Sequence, residues 1–206
     1  MLFYRRHVQK EVLLMKNPDT RVQFTKSRFH QTLAELLEEK AIGFISVKEL
    51  CDRAGLNRGT FYLHYAEPMD VLHELEDRLS NKIMENYSGM EDILTDRLRL
   101  VLTERKAYAA ILGSHGEPAF LVRACRLAYQ AMKPYFRAEE SASEDEPPEE
   151  FQFAFSGCTW LICRWLASND PIPPEQMAKK LLLMSNSVFD TQKNRQKGDE
   201  SEYKLQ

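Results

Sequence analysis

The sequence is poor in the features that mark several large protein classes. It has four cysteines in 206 residues, too few for a disulfide scaffold, and none of them forms a CxxC pair. Its five histidines are scattered, so no stretch has the clustered spacing of a zinc site, and no metal or other cofactor is expected. No apolar run approaches the roughly 18–20 residues that span a bilayer, so no membrane partner is expected. Charge of one sign is also missing. The net charge is −3 with 29% charged residues, which excludes both a histone-like basic chain and a disordered acidic tail. Cys51, Cys125, Cys158 and Cys163 sit among apolar neighbours and read as small buried hydrophobes. That usage points to a reducing, cytoplasmic compartment.

What the chain does have is helical periodicity nearly throughout, with 43% apolar residues to build a core. The expected fold is all-α, with no strand-like alternation. Residues 1–18 read as an N-terminal extension. Lys10-Glu11-Val12 is encodable by the purine-rich ribosome-binding sequence AAGGAGGTN, so we expect translation to start at Met15; a native mass beginning at Met1 contradicts this. Asn17-Pro18-Asp19-Thr20 offers caps to a helix over residues 20–39, with Phe29, Leu33, Leu36 and Leu37 as its stripe and Gly43 as the closing turn residue. Ser46 with Glu49 makes a capping box for a short helix carrying Val47, Leu50, Cys51 and Ala54. Gly55 breaks it, Asn57 caps a third helix, and Pro68 starts a fourth with Met69, Leu72, Leu75, Leu79 and Ile83 running toward Tyr87.

Further helices are expected around Ile93–Leu102, with Tyr108, Ile111 and Leu112 on its continuation or on a successor, and over 119–137, 151–167 and 175–189. Between two of them, residues 138–150 read as a solvated acidic loop, and 191–206 as a polar, frayed tail.

Charge is divided along the chain. Residues 1–66 carry 11 Lys/Arg against 7 Asp/Glu, and residues 67–206 carry 17 against 24, so the first part is the better match for an anion. Two short helices around a tight glycine turn, Ile45 to Tyr65, have the layout of a helix-turn-helix, whose second helix enters the DNA major groove. Leu56 and Phe61 would pin that helix to the core. Arg58, Thr60, Tyr62 and His64 would point outward. Arg58 suits the O6/N7 edge of guanine, Thr60 a phosphate or thymine methyl, and Tyr62 and His64 phosphate oxygens. Ser46 and Lys48 offer a helix N-terminus and a cation to phosphate.

The run Ser46, Leu50, Ala54-Gly55-Leu56-Asn57-Arg58-Gly59-Thr60-Phe61-Tyr62-Leu63-His64-Tyr65 resembles the N-terminal domain of TetR-type transcriptional regulators over about Thr20 to Leu79. The resemblance implies a three-helix DNA-binding domain over 19–66, joined to a helical effector-binding and dimerisation domain over 67–190. It also implies a homodimer on a palindromic double-stranded DNA operator, usually released by a small effector, and a bacterial repressor rather than an enzyme. It adds Asn57 and Gly59 to the DNA-binding set. Phe155-Ser156-Gly157, Trp165-Leu166 and Pro173-Pro174-Glu175-Gln176-Met177 are similar to a subgroup that includes regulators of dihydroxyacetone kinase operons.

One departure stands out. The family's usual Lys at the start of helix four is replaced by Ala66-Glu67-Pro68-Met69. That leaves room for a co-regulator that binds DNA weakly and acts through a protein partner. In the C-terminal part, Tyr108, Tyr129, Met132, Phe153, Trp160 and Cys163 are candidates for an effector pocket, and Trp165, Leu181, Leu182 and Met184 for a dimer interface; core is the competing reading for each. His115 near Glu117 is the nearest approach to a catalytic pair, and it lacks a third member.

Overall fold

The computed structural model describes residues 17–84, 90–133 and 146–203, with side chains described over 17–84, 94–133 and 146–188. Among the described residues there are helices and turns and no strand. The extension through residue 16, with Met15, lies outside them, as do Tyr87 and most of the expected acidic loop. The chain divides into two compact units, Met1–Glu85 with Glu104–Phe120, and Asn86–Thr103 with Leu121–Gln206.

In the first unit, α1 (Pro18–Leu37) opens where the Asn17 side chain accepts the Asp19 N–H at 2.9 Å and Pro18 sits in the first turn. Its stripe of Phe29, Leu33, Leu36 and Leu37 is buried as the spacing predicts. Its end is not the expected glycine turn. Glu38 closes α1 in right-handed geometry, and Gly43 lies inside a 3-10 turn, Ile42–Phe44. Two separate backbone reversals, rather than one left-handed residue, turn the chain here.

Helix α2 (Val47–Ala54) begins where Ser46 Oγ accepts the Glu49 N–H at 3.2 Å. It ends at Gly55, whose φ of 74° is the left-handed value that makes glycine the right residue. Helix α3 (Arg58–Tyr62) follows. Phe61 stands edge-on to Phe29, ring centroids 5.4 Å apart, and Tyr65 packs on both rings. Leu50, Cys51, Ala54 and Leu56 complete this core.

Helix α4 (Pro68–Met84) buries Val71, Leu72, Leu75 and Leu79. The first unit is completed by α6 (Arg105–Leu112) and a tight turn; α1 packs on α6 and on α4, and the Tyr108 hydroxyl donates to the Leu79 carbonyl at 3.0 Å. Ahead of α6, α5 (Met90–Thr103) belongs to the second unit, and Glu104 breaks the two helices apart. Glu104 pairs with Arg78 at 2.7 Å and with Lys82.

The second unit holds α5, most of α7 (Pro118–Met132), α8 (Glu149–Ala167) and α9 (Pro174–Tyr203). Helix α9 packs on α5 and α8. Two boundaries differ from the sequence reading. Glu149 and Glu150, expected in the acidic loop, form the first turn of α8, where acids favour the positive end of a helix. The expected frayed tail is instead helical to Tyr203, through a run rich in Gln, Lys, Arg and Glu, all good helix formers.

Candidate nucleic-acid interface

The helix-turn-helix is built from the inside out. Leu50, Leu56 and Phe61 fix α2 and α3 against α1, and the Arg28 guanidinium donates to the Ala54 carbonyl at 3.3 Å. With Phe61 inward, the rest of α3 is displayed. Arg58 and Gly59 are exposed, Tyr62 is 60% exposed, and Thr60 and His64 are half-buried. Ser46 and Lys48 are exposed at the start of α2.

Not every expected reader is free to read. Asn57 Oδ1 accepts both the Thr60 N–H at 2.7 Å and the Thr60 hydroxyl at 3.0 Å. Asn57 and Thr60 therefore serve first as the cap that holds α3. Gly59 fits the same geometry, since a Cβ there would lie 3.3 Å from Asn57 Oδ1. Two nearby cations are engaged as well: Lys40 pairs with Glu49 at 2.7 Å and Arg53 with Glu39 at 2.6 Å. The Arg53 guanidinium, by hydrogen bonding, holds the Glu39 carboxyl below its ordinary value. No hydrogen bond or ion pair among the described residues ties down Arg58 or Lys48, so these two carry the accessible positive charge of the motif.

The start of α4 has its own chemistry. Asp70 Oδ2 accepts the Glu67 and Ala66 N–H groups at 3.0 and 2.8 Å, and these bonds hold the Asp70 carboxyl below its ordinary value. Where the resembled family has a cation, this chain has a self-capped turn with two acids.

Two exposed residues escaped the sequence reading. Leu63 and Phe44 are each 78% exposed, one within the Tyr62–His64 stretch and one two residues before Ser46. Leu63 was findable: two residues past buried Phe61, it lies about 200° around the helix. Phe44 sits in a 3-10 turn and leaves no periodic signal.

The remaining candidates separate. Tyr129 and Met132 come together with Cys125, Ala128, Phe151 and Phe155 in the second unit, Tyr129 and Phe151 at 5.2 Å between ring centroids. Tyr108 belongs to the first unit instead, and Cys163 is half-buried with its thiol pushed up by burial. Phe153 and Trp160 do not line an internal pocket, because they are 71% and 58% exposed. Helix α8 is apolar nearly all round, so periodicity could not tell the inward Phe151 from the outward Phe153. Arg164 lies over the Trp160 ring at 5.0 Å.

Of the expected interface set, Trp165 and Leu181 are core residues of their own unit. The Trp165 indole N–H donates to the Ile172 carbonyl at 2.8 Å, which closes the proline turn. Leu182 is half-buried, while Met184, with its neighbour Leu183, is exposed. His115 and Glu117 do not pair either. His115 Nδ1 donates to the Leu37 carbonyl at 2.8 Å, and Glu117 faces His73.

Comparison with known proteins settles the class. Residues 88–187 match a TetR family model described as "Transcriptional regulator C-terminal region". A TetR transcriptional regulator from Streptococcus agalactiae 2603V superimposes with a TM-score of 0.61 at 26% identity, over 81% of this chain and 96% of that one. The chain belongs to the TetR-type transcriptional regulators. An uncharacterized HTH-type transcriptional regulator of Bacillus subtilis (strain 168), YxbF, is 24% identical over 78 residues, which is 36% of this chain and 20% of that relative's length. The dihydroxyacetone kinase operon activator DhaS shares the fold, with a TM-score of 0.52 at 14% identity over 79% of this chain and 94% of that one. The TetR-type helix-turn-helix is thus the DNA-binding element of this chain, and no described helix is long and apolar enough to cross a membrane.

Proposed function

We propose that this TetR-type regulator is a cytoplasmic bacterial repressor. It binds a palindromic operator as a homodimer and is released by a small effector. The observation that carries the reading is the pairing of a rigidly seated Phe61 with an unengaged Arg58 and an exposed Tyr62 on the same short helix. Arg58 reads a guanine edge. Lys48, Ser46, Tyr62 and His64 hold phosphates, and Asn57, Gly59 and Thr60 keep α3 in register.

The effector and the second copy engage residues within 67–190. We place the effector beside the packed cluster of Cys125, Tyr129, Met132, Phe151 and Phe155, whose aromatic and sulfur-bearing side chains suit an apolar molecule. Phe153 and Trp160 on α8, with Leu183 and Met184 on α9, offer exposed apolar area for a second copy. An effector that binds better to a dimer with mismatched helix spacing moves the population off DNA.

A co-regulator reading has one observation in its favour: the Asp70-capped start of α4, which lacks the family's phosphate cation. Fluorescence anisotropy with DNA from upstream of the chain's own gene, beside a scrambled duplex at two salt concentrations, separates the two. Selective binding supports the autonomous repressor. Binding that needs a second protein supports the co-regulator.

A further inference from the structure

The first unit gathers three metal-ligating groups, none of them in the helix-turn-helix segment. His73 and Glu76 stand three residues apart on α4, so both project from one face. Glu117 meets them from the end of the turn that follows α6. One ligand atom from each of the three lies within 4.8 Å of the others. His73 Nε2 is 3.5 Å from Glu117 Oε2, long for a hydrogen bond. It is close to the roughly 3.4 Å between two ligands of a tetrahedral ion with bonds of about 2.1 Å.

The surroundings are built to hold the arrangement. Glu76 is 1% exposed, and a carboxylate in so dry a position attracts a dication more strongly than one in water. The turn that delivers Glu117 is closed tightly on itself. A Cβ on Gly113 would stand 2.5 Å from the Ala109 carbonyl oxygen, and one on Gly116 2.1 Å from that of Ile111, so only glycine fits at either. The hydrogen bond from His115 to the Leu37 carbonyl anchors the same turn to α1. The ligands come from segments far apart in the chain, which is why spacing rules found no site.

We propose that His73 Nε2 and the Glu76 and Glu117 carboxylates bind one first-row divalent cation. One imidazole and two carboxylates suit an ion of the zinc type, with water in the remaining position. The ion ties α4, which follows directly on the recognition helix, to the turn after α6. This proposal does not depend on the operator reading.

The test is isothermal titration of the chelator-treated full chain with zinc chloride, paired with thermal unfolding with and without zinc. The expected result is one zinc per chain and a raised Tm. His73→Ala, at an exposed position, and Glu117→Gln should each weaken zinc binding by about tenfold or more and abolish the Tm rise, with unchanged far-UV circular dichroism. Absence of zinc binding overturns the proposal. So does zinc binding that persists unchanged in the His73→Ala, Glu117→Gln double variant, since that assigns the ion elsewhere, such as to the cysteines.

Discussion

Arg58 is the residue on which base reading turns. Its side chain is exposed and unengaged, while its helix is anchored one turn away by Phe61. Arg58→Ala should therefore leave the fold intact and cost about 1–3 kcal/mol of operator binding, relaxing preference at one base position. Competition anisotropy on operator and random DNA checks this, and equal losses on both would make Arg58 a phosphate contact.

His30 is the opposite case, a buried residue with a signature in stability. Burial is the main cause that pushes its pKa from 6.5 down to about 4, among Glu74, Arg78, Lys26 and Glu104. Between those values the unfolded chain binds a proton that the folded chain refuses. Stability is therefore full above about pH 6.5 and falls as pH drops toward 4, by up to about 3 kcal/mol. Glu74 and Glu104 are pushed up by burial, but ion-pair partners outweigh this and hold them below the ordinary 4.5, so their contributions are lost only at lower pH. Urea unfolding at pH 7.5 and 5.0 should show the drop in the wild type and a flatter response in His30→Leu.

At the scale of elements, the start of α4 decides how strongly the chain grips the DNA backbone. Glu67 is exposed there, and its N–H is held by Asp70. Glu67→Lys should tighten binding to operator and random DNA alike. It should also steepen the dependence of log K on log salt concentration by about one unit. An unchanged slope would place this turn away from the backbone.

The helix-turn-helix was legible in the sequence because its signals are local. Ser46 and Asn57 cap, Gly55 takes a positive φ, and Phe61 recurs at core spacing, and the structure has each of these. Less was legible where the signal is not local. Gly43 resembled a helix terminator, but a 3-10 turn does its work. On α8, and in the consecutive run Leu181–Met184 of α9, apolar residues go round the helix, so Trp165 and Leu181 read as interface although they are core, and Phe153 and Trp160 read as pocket although they are exposed. The meeting of His73, Glu76 and Glu117 depends on tertiary packing, which periodicity does not reveal.

At the scale of the whole molecule, the reading requires two copies. Phe153 and Trp160 are large, exposed and on one helix, so replacing them with acids should not disturb the subunit core. Phe153→Asp with Trp160→Glu should convert a dimer to a monomer in sedimentation equilibrium while helical content holds. Operator affinity should fall steeply, because each half-site is then bound alone. A dimer that survives both changes would move the interface elsewhere, with the Leu183 and Met184 face of α9 next to examine.

Selection from a random duplex library by the purified chain shows whether it reads DNA on its own and with two-fold symmetry. The expected result is enrichment of one inverted repeat, with half-sites one helical turn or so apart and one base preference lost in Arg58→Ala. A library that stays random after repeated rounds, at a salt concentration where non-specific binding is suppressed, would mean that the chain alone reads no operator.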